Sequence, residues 1–252
     1  MVLFSATVSI SSWWKDRQFL NPPVDTGIVT NWSKSPPRFP WVTLTIFLCC
    51  VGVKLLHFAM PPMAQNAILE LGGVLPDQLA RIFRQSPAGW LDSQLLTLFT
   101  ALFIHASWLH LLGNMVYLWV FGIPLERRVG WVGMILVFIF GGALANLFVV
   151  MRLPELTSPI IGASGAVSAV VGAYLGLFPF RRIGMLLPLG LYLQFARVPS
   201  VLVIGSWFTL QLVYTVLGPI TGIVAWWTHM AGFALGLIFA LLARAMAQIK
   251  LG

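Results

Sequence analysis

Ser164 opens an apolar helix in the stretch SPIIGASGAVSAVVGAYLGLFPFRR, where it stands between Gly162 and Gly165. A serine hydroxyl is a weak nucleophile until a neighbouring base takes its proton, and a neutral imidazole can do so near neutral pH. His229, in THMAGFALG, is a candidate for that base. His110 and Asn114, in HASWLHLLGN, lie four residues apart and so share one face of a helix. Attack of a hydroxyl on an amide produces a tetrahedral oxyanion that needs donors already in place. Those two side chains, with the backbone N–H of Ser164 at a positive helix N-terminus, have the right chemistry to supply them.

The surroundings of these groups are those of a lipid-embedded chain. Of 252 residues, 59% are hydrophobic and 9% charged, against about one quarter charged in soluble domains. The mean hydropathy of +0.90 agrees, and the composition predicts an all-α polytopic membrane protein. Six runs approach the roughly 20 residues needed to span a bilayer: 41–60, 106–124, 131–151, 165–180, 198–217 and 224–243. The remaining apolar stretch, residues 183–196, is short and flanked by arginines, and reads as an interfacial or re-entrant connection. Residues 1–40 and 247–252 form polar tails, and the membrane domain occupies 41–246. The 61–104 connection is long enough to carry structure of its own.

Six spans put Lys15, Arg17, Lys34, Arg38, Arg127, Arg128, Arg181, Arg182, Arg197, Arg244 and Lys250 on one side, with Arg81, Arg84 and Arg152 on the other. The positive-inside rule then predicts that both termini are cytoplasmic. Lys54, within the first span, is expected to snorkel outward, and His57 to lie at the interface. The net charge of +8 comes from residues at the ends of apolar runs, without a basic stripe, so nucleic acid is not an expected partner. Adjacent Cys49 and Cys50 offer neither a disulfide framework nor metal spacing.

Buried polar groups are costly in a bilayer, which makes each one a functional candidate. Counted from the basic residues closing their helices at 1.5 Å per residue, Ser164, His110, Asn114 and His229 lie about 20–25 Å away, all near one level below the outer surface. The fourth span reaches only about 24 Å, so the loop before it must dip into the membrane, where backbone survives if protein buries it or water lines it. Ser164, Ser168 and Gly172 share a face of that span, and His229, Gly232 and Gly236 a face of the sixth. Small-residue faces let helices approach closely. Packed together, they would bring His229 to Ser164.

HASWLHLLGN, ERR, GASGAV and HMAGFALG, in this order and spacing, resemble the rhomboid intramembrane serine proteases over residues 94–246. The resemblance implies a six-helix rhomboid-like bundle, with Ser164 as nucleophile and His229 as general base. It implies that His110 and Asn114 line the oxyanion hole, that His105 orders the outer end of the second span, and that Glu126 and Arg128 are structural. Gly162, Gly165, Gly232 and Gly236 support the site by packing. The implied substrates are transmembrane segments cut near the outer surface, with no cofactor. The sequence departs from the pattern twice: Leu96–Thr97 stand where many members have Trp-Arg, and Ser168 where many have an aromatic residue stacked on the base.

Other chemistries lack their residues. No H-E-x-x-H occurs, and no aspartate follows Asp92. His105, five residues before His110, points about 140° away around a continuous helix, against a shared metal. The two competing readings are a rhomboid-like protein that binds membrane helices without cutting them, and a small-solute channel or transporter. No inverted repeat accompanies the polar cluster, which disfavours the second. The absence of an Arg-rich transit segment points to a bacterial inner membrane.

Overall fold

A computed structural model describes residues 39–85, 92–189, 192–217 and 221–249. The predicted N-terminal tail up to 38 and C-terminal tail from 250 lie outside the described residues. In chain order the helices are α1 Trp41–Ala59, α2 Pro62–Gly72 and α3 Pro76–Gln85. Short turns follow over Ser93–Phe103. Next come α4 Trp108–Tyr117, α5 Ile123–Ile135, α6 Gly141–Arg152, α7 Ser164–Leu177, α8 Ser200–Leu217 and α9 Thr221–Ile249. An antiparallel hairpin, β1 Arg182–Leu189 and β2 Tyr192–Pro199, separates α7 from α8.

Three helical runs among the described residues are long and apolar enough to cross a membrane: Trp41–Ala59, Trp108–Arg152 and Trp226–Met246. The second is not one rod. Gly130, at φ 78° and ψ 176°, breaks it, in a conformation that only glycine adopts without strain. Two limbs result, 108–129 and 131–152, each containing a π-helical turn, at Leu118–Gly122 and Leu136–Phe140. Leu48, Leu56, Leu109, Trp119, Trp131, Leu202 and Leu241 lie exposed on the outside, the apolar exterior expected of an integral membrane protein.

α7 is the axis of the bundle. Every residue from Gly165 to Tyr174 is buried, which accounts for a sequence apolar or small all round. Leu118, Phe121, Leu125, Met134, Phe138, Val170 and Tyr174 belong to the main core around it. The contact with α9 is made backbone to backbone. A methyl group built on Gly232 would fall on the Gly165 carbonyl, one on Gly236 on the Ala169 carbonyl, and one on Gly172 on the Phe233 carbonyl. No side chain fits between the helices at these levels.

Two ends are fixed by polar groups from far along the chain. Pro40 gives α1 no side-chain cap, yet the free N–H groups of a helix start need acceptors. The Glu126 carboxylate provides them: Val42 N–H donates to Oε1 (2.9 Å), while Thr43 N–H (2.7 Å) and the Thr43 hydroxyl (2.6 Å) donate to Oε2. A negative charge there also complements the helix dipole. At the end of α7, the Ser200 hydroxyl donates to the carbonyls of Phe178 (2.8 Å) and Pro179 (3.0 Å).

At three places the structure adds what the sequence does not indicate. The 183–196 connection is an extended hairpin, with Arg182 opposite Pro199 and Leu189 opposite Tyr192; pairing of its own strands satisfies backbone groups that a short apolar segment could not otherwise hide. Lys54 does not reach solvent. It is buried, and its ammonium donates to the Ala106 carbonyl at 2.8 Å and lies 5.8 Å from the Trp108 ring centre. His57 is likewise buried, its Nδ1 3.4 Å from Lys54 Nζ.

Gly236→Ala is expected to lower the unfolding temperature in detergent, at a cost of about 1–3 kcal/mol for forcing α7 and α9 apart. Gly52→Ala, with nothing within 4 Å of the added methyl, should leave the temperature unchanged or raise it slightly. Thermal unfolding followed by circular dichroism compares the two, and equal losses would contradict the close-contact account.

Candidate active site

The chain reaches Ser164 through a loop held at nearly every step. Val74 and Ile160 exchange both backbone hydrogen bonds (3.0 and 2.8 Å), and Asp77 N–H donates to the Leu156 carbonyl (3.1 Å). Helices α2 and α3, in the long connection expected to carry structure, thus brace the loop from outside. Deeper in, Gly162 N–H donates to the Ala101 carbonyl at 2.8 Å, and Ala163 N–H to His105 Nε2 at 3.3 Å. Gly162 and Ala163 are buried, which meets the condition for non-helical backbone at membrane depth.

Gly162 cannot be another residue without cost. Its φ is +112°, and a methyl group on it would sit 2.5 Å from Cε1 and 2.7 Å from Nε2 of His110. The turn before Ser164 therefore lies directly on the His110 imidazole. Ser164 itself is half-buried, and its hydroxyl makes no hydrogen bond among the described residues. Its carbonyl accepts from the Ser168 hydroxyl at 2.8 Å.

His105 departs from the helical geometry expected of it. α4 starts only at Trp108, with Ser107 as its N-cap accepting from His110 N–H at 3.1 Å, so the 140° separation does not apply. The two imidazoles instead lie edge to face, with centres 5.2 Å apart. Both His105 nitrogens are committed to backbone: Nδ1–H donates to the Phe103 carbonyl (3.3 Å), leaving unprotonated Nε2 to accept from Ala163. That is a complete neutral tautomer. Among the described residues no group of three or more His, Cys, Asp or Glu is arranged to hold a metal ion.

Asn114 is buried one turn past His110, and its Nδ2 donates to the His110 carbonyl at 3.0 Å. A second N–H of that amide is left for another acceptor. His229 is buried on α9. Thr228, beside it, packs its methyl carbon 2.7 Å from a methyl position on Gly165. The neighbours of Ser164 and His229 are thus in contact, while the two side chains make no hydrogen bond with each other. His229 Nδ1 is enclosed without a partner.

Sequence reasoning missed Trp207. Its ring, on α8, lies 5.8 Å from that of His229 at 39° and 5.8 Å from that of Tyr117. The neighbouring Trp226 and Trp227, on α9 with His229, pack against Phe208 and Phe148. Nothing in the local sequence around Trp207 marks it, because the contact crosses from one helix to another.

With this geometry in place, comparison with known proteins is informative. Residues 92–246 match the Rhomboid domain, and the chain belongs to the rhomboid family. It is 30% identical over 124 residues to "Putative rhomboid protease YdcA" of Bacillus subtilis, covering 48% of this chain and 62% of that protein. Over 127 residues it is 28% identical to "RHOMBOID-like protein 6, mitochondrial" of Arabidopsis thaliana, covering 50% of this chain and 40% of the relative. A shorter match, 43% identical over 68 residues, is to "Rhomboid-like protein 11, chloroplastic" of the same plant, covering 27% and 24% of the two chains.

Replacing His105 by Ala leaves the buried Ala163 N–H without its acceptor, a loss of about 1–3 kcal/mol. The expected result is a lower unfolding temperature together with faster amide exchange at Gly162–Ser164, read by hydrogen exchange mass spectrometry. Unchanged exchange there would remove His105 as the anchor of the loop.

Proposed function

We propose that this rhomboid is an intramembrane serine endopeptidase that cuts transmembrane segments by a Ser164–His229 dyad. The observation that carries the reading is the glycine-mediated contact of α7 and α9, which brings the Ser164 turn and the His229 turn to one level. The family match adds to it. The bundle has six spans, formed by α1, the two limbs divided at Gly130, α7, α8 and α9. The Lys and Arg bias sets both termini in the cytoplasm, with Ser164 toward the opposite surface.

In the proposed reaction the Ser164 hydroxyl oxygen adds to the scissile carbonyl carbon while its proton passes to the His229 imidazole. The carbonyl π electrons move onto oxygen, and the oxyanion is met by His110, the second N–H of Asn114 and the Ser164 backbone N–H. Collapse of this intermediate breaks the C–N bond. The leaving amine takes the proton from His229, and an acyl ester remains on Ser164. Water then gives its proton to His229 and adds to the ester; Ser164 departs with that proton, and the carboxylic product is released. The missing Ser164–His229 hydrogen bond is compatible with this role, since such contacts often tighten only when substrate is bound. Trp207 takes over the stacking on the base that Ser168 cannot provide.

In detergent or liposomes, the wild type is expected to cleave a single-span substrate with small residues near its outer end, and Ser164→Ala and His229→Ala to lose all measurable cleavage. His110→Ala and Asn114→Ala should each cost about 10²–10³ in kcat. Equal cutting by the wild type and the two dyad variants would overturn the dyad. Absence of cutting by any of them, across several substrates, would favour the helix-binding reading.

For Trp207, the expected outcome is a kcat lowered about tenfold by Trp207→Ala and largely kept by Trp207→Phe, with KM little changed, as fits loss of a ring contact of about 0.5–1.5 kcal/mol. A change confined to KM would instead assign Trp207 to substrate binding.

A further inference from the structure

At the end of the bundle away from Ser164, a cavity of about 170 Å³ opens between α1 and the α4–α5 limb. Phe39, Leu44, Trp119 and Ile123 line its apolar part, and Thr43 and Arg127 its polar part. Arg127 lies 17 residues along the helical limb from His110, about 25 Å at 1.5 Å per residue, so this site is separate from the candidate active site.

Arg127 lacks partners among the described residues. Its Nε is buried and makes no hydrogen bond, and the guanidinium has no ion pair among the described residues. Its neighbour Glu126 cannot serve, because both oxygens of that carboxylate are taken up by the start of α1. The Thr43 hydroxyl is spent on the same carboxylate. What remains is a fixed cation in an otherwise apolar groove, with no free acid in the lining.

Lipid is the occupant that fits both halves of the groove. Its outer wall, Trp119, is 53% exposed and continues through a ring contact with Phe47, 6.0 Å between centres, along the lipid-facing side of α1. A planar guanidinium is suited to phosphate oxygens, and tryptophan to the level of the headgroups. We propose that this groove holds an anionic phospholipid, with its phosphate on Arg127 and the first part of an acyl chain along Leu44, Trp119 and Ile123. A zwitterionic lipid would bring an ammonium group for which the lining has no carboxylate, so phosphatidylglycerol is preferred over phosphatidylcholine. The site is independent of the proposed chemistry at Ser164.

Native mass spectrometry of the full chain in detergent, titrated with each of the two lipids, tests this. The wild type is expected to retain one phosphatidylglycerol at concentrations where phosphatidylcholine is not retained. Arg127→Gln should weaken that binding about tenfold or more, the scale of one charge-assisted contact. Leu44→Trp, which fills the groove and keeps the charge, should weaken it as well. If Arg127→Gln does not fold, as judged by circular dichroism, the lipid preference of the wild type and the loss in Leu44→Trp carry the test. Equal retention of both lipids by the wild type, or full retention of phosphatidylglycerol by either folded variant, overturns the proposal. Displacement of the lipid by millimolar inorganic phosphate would make this a free-phosphate site and overturn it too.

Discussion

The contact between α7 and α9 is the constraint from which the rest of the arrangement follows. Without a solvent that drives apolar surfaces together, membrane helices associate through close van der Waals contact. Gly232 and Gly236 lie directly against the carbonyls of Gly165 and Ala169, so the distance between the axes and their relative register are both set by backbone atoms, which do not have rotamers to change. Register matters because Thr228 and Gly165, the residues beside His229 and Ser164, meet in the same contact. The geometry of the proposed dyad tolerates errors of well under an ångström, and a backbone contact holds it more firmly than long side chains could.

A helix as short as α7 creates the second requirement, since the loop leading into it descends into the membrane domain. Each exposed polar group of that loop must find a protein partner, and the partners come from three different places: Val74 beside α2, Ala101 in the short turns, and His105 ahead of α4. The histidines are divided between tasks as a result. His105 gives both nitrogens to backbone, while His110 presents its ring to the turn at Gly162 and His229 keeps a nitrogen unpaired.

What could be read in the sequence depended on whether the signal was periodic or tertiary. The small-residue faces of α7 and α9 repeat every three or four positions, and the helices do pack closely there, but Gly232 and Gly236 meet Gly165 and Ala169 rather than Ser164 and Ser168. The 140° angle between His105 and His110 fails because the helix begins two residues later than the apolar run suggests. The correct start is marked by Ser107, a good N-cap whose oxygen accepts from the N–H three residues on. Lys54 stands out in an apolar run, but its burial depends on the Ala106 carbonyl, 52 positions away. The hairpin was equally hidden, because a short apolar run has no period that distinguishes a strand from an interfacial segment.

Ser168 and Trp207 illustrate how a departure from a family pattern can be absorbed. An aromatic residue at position 168 would belong to the same rigid helix as the proposed nucleophile, and its support of the proposed base would be fixed with it. Here the Ser168 hydroxyl turns back to the Ser164 carbonyl, and the ring beside His229 comes from α8. Trp207 also touches Tyr117, one turn beyond Asn114, so a single indole lies between the helix bearing His229 and the helix bearing His110 and Asn114. α8 presents Leu202 and Leu210 outward and has no glycine-to-carbonyl contact like that of α9; the methyl position of its Gly205 has nothing within 4 Å. Support for the proposed base thereby passes from the most tightly packed helix of the bundle to one held by side chains, and the orientation of His229 becomes sensitive to the position of α8.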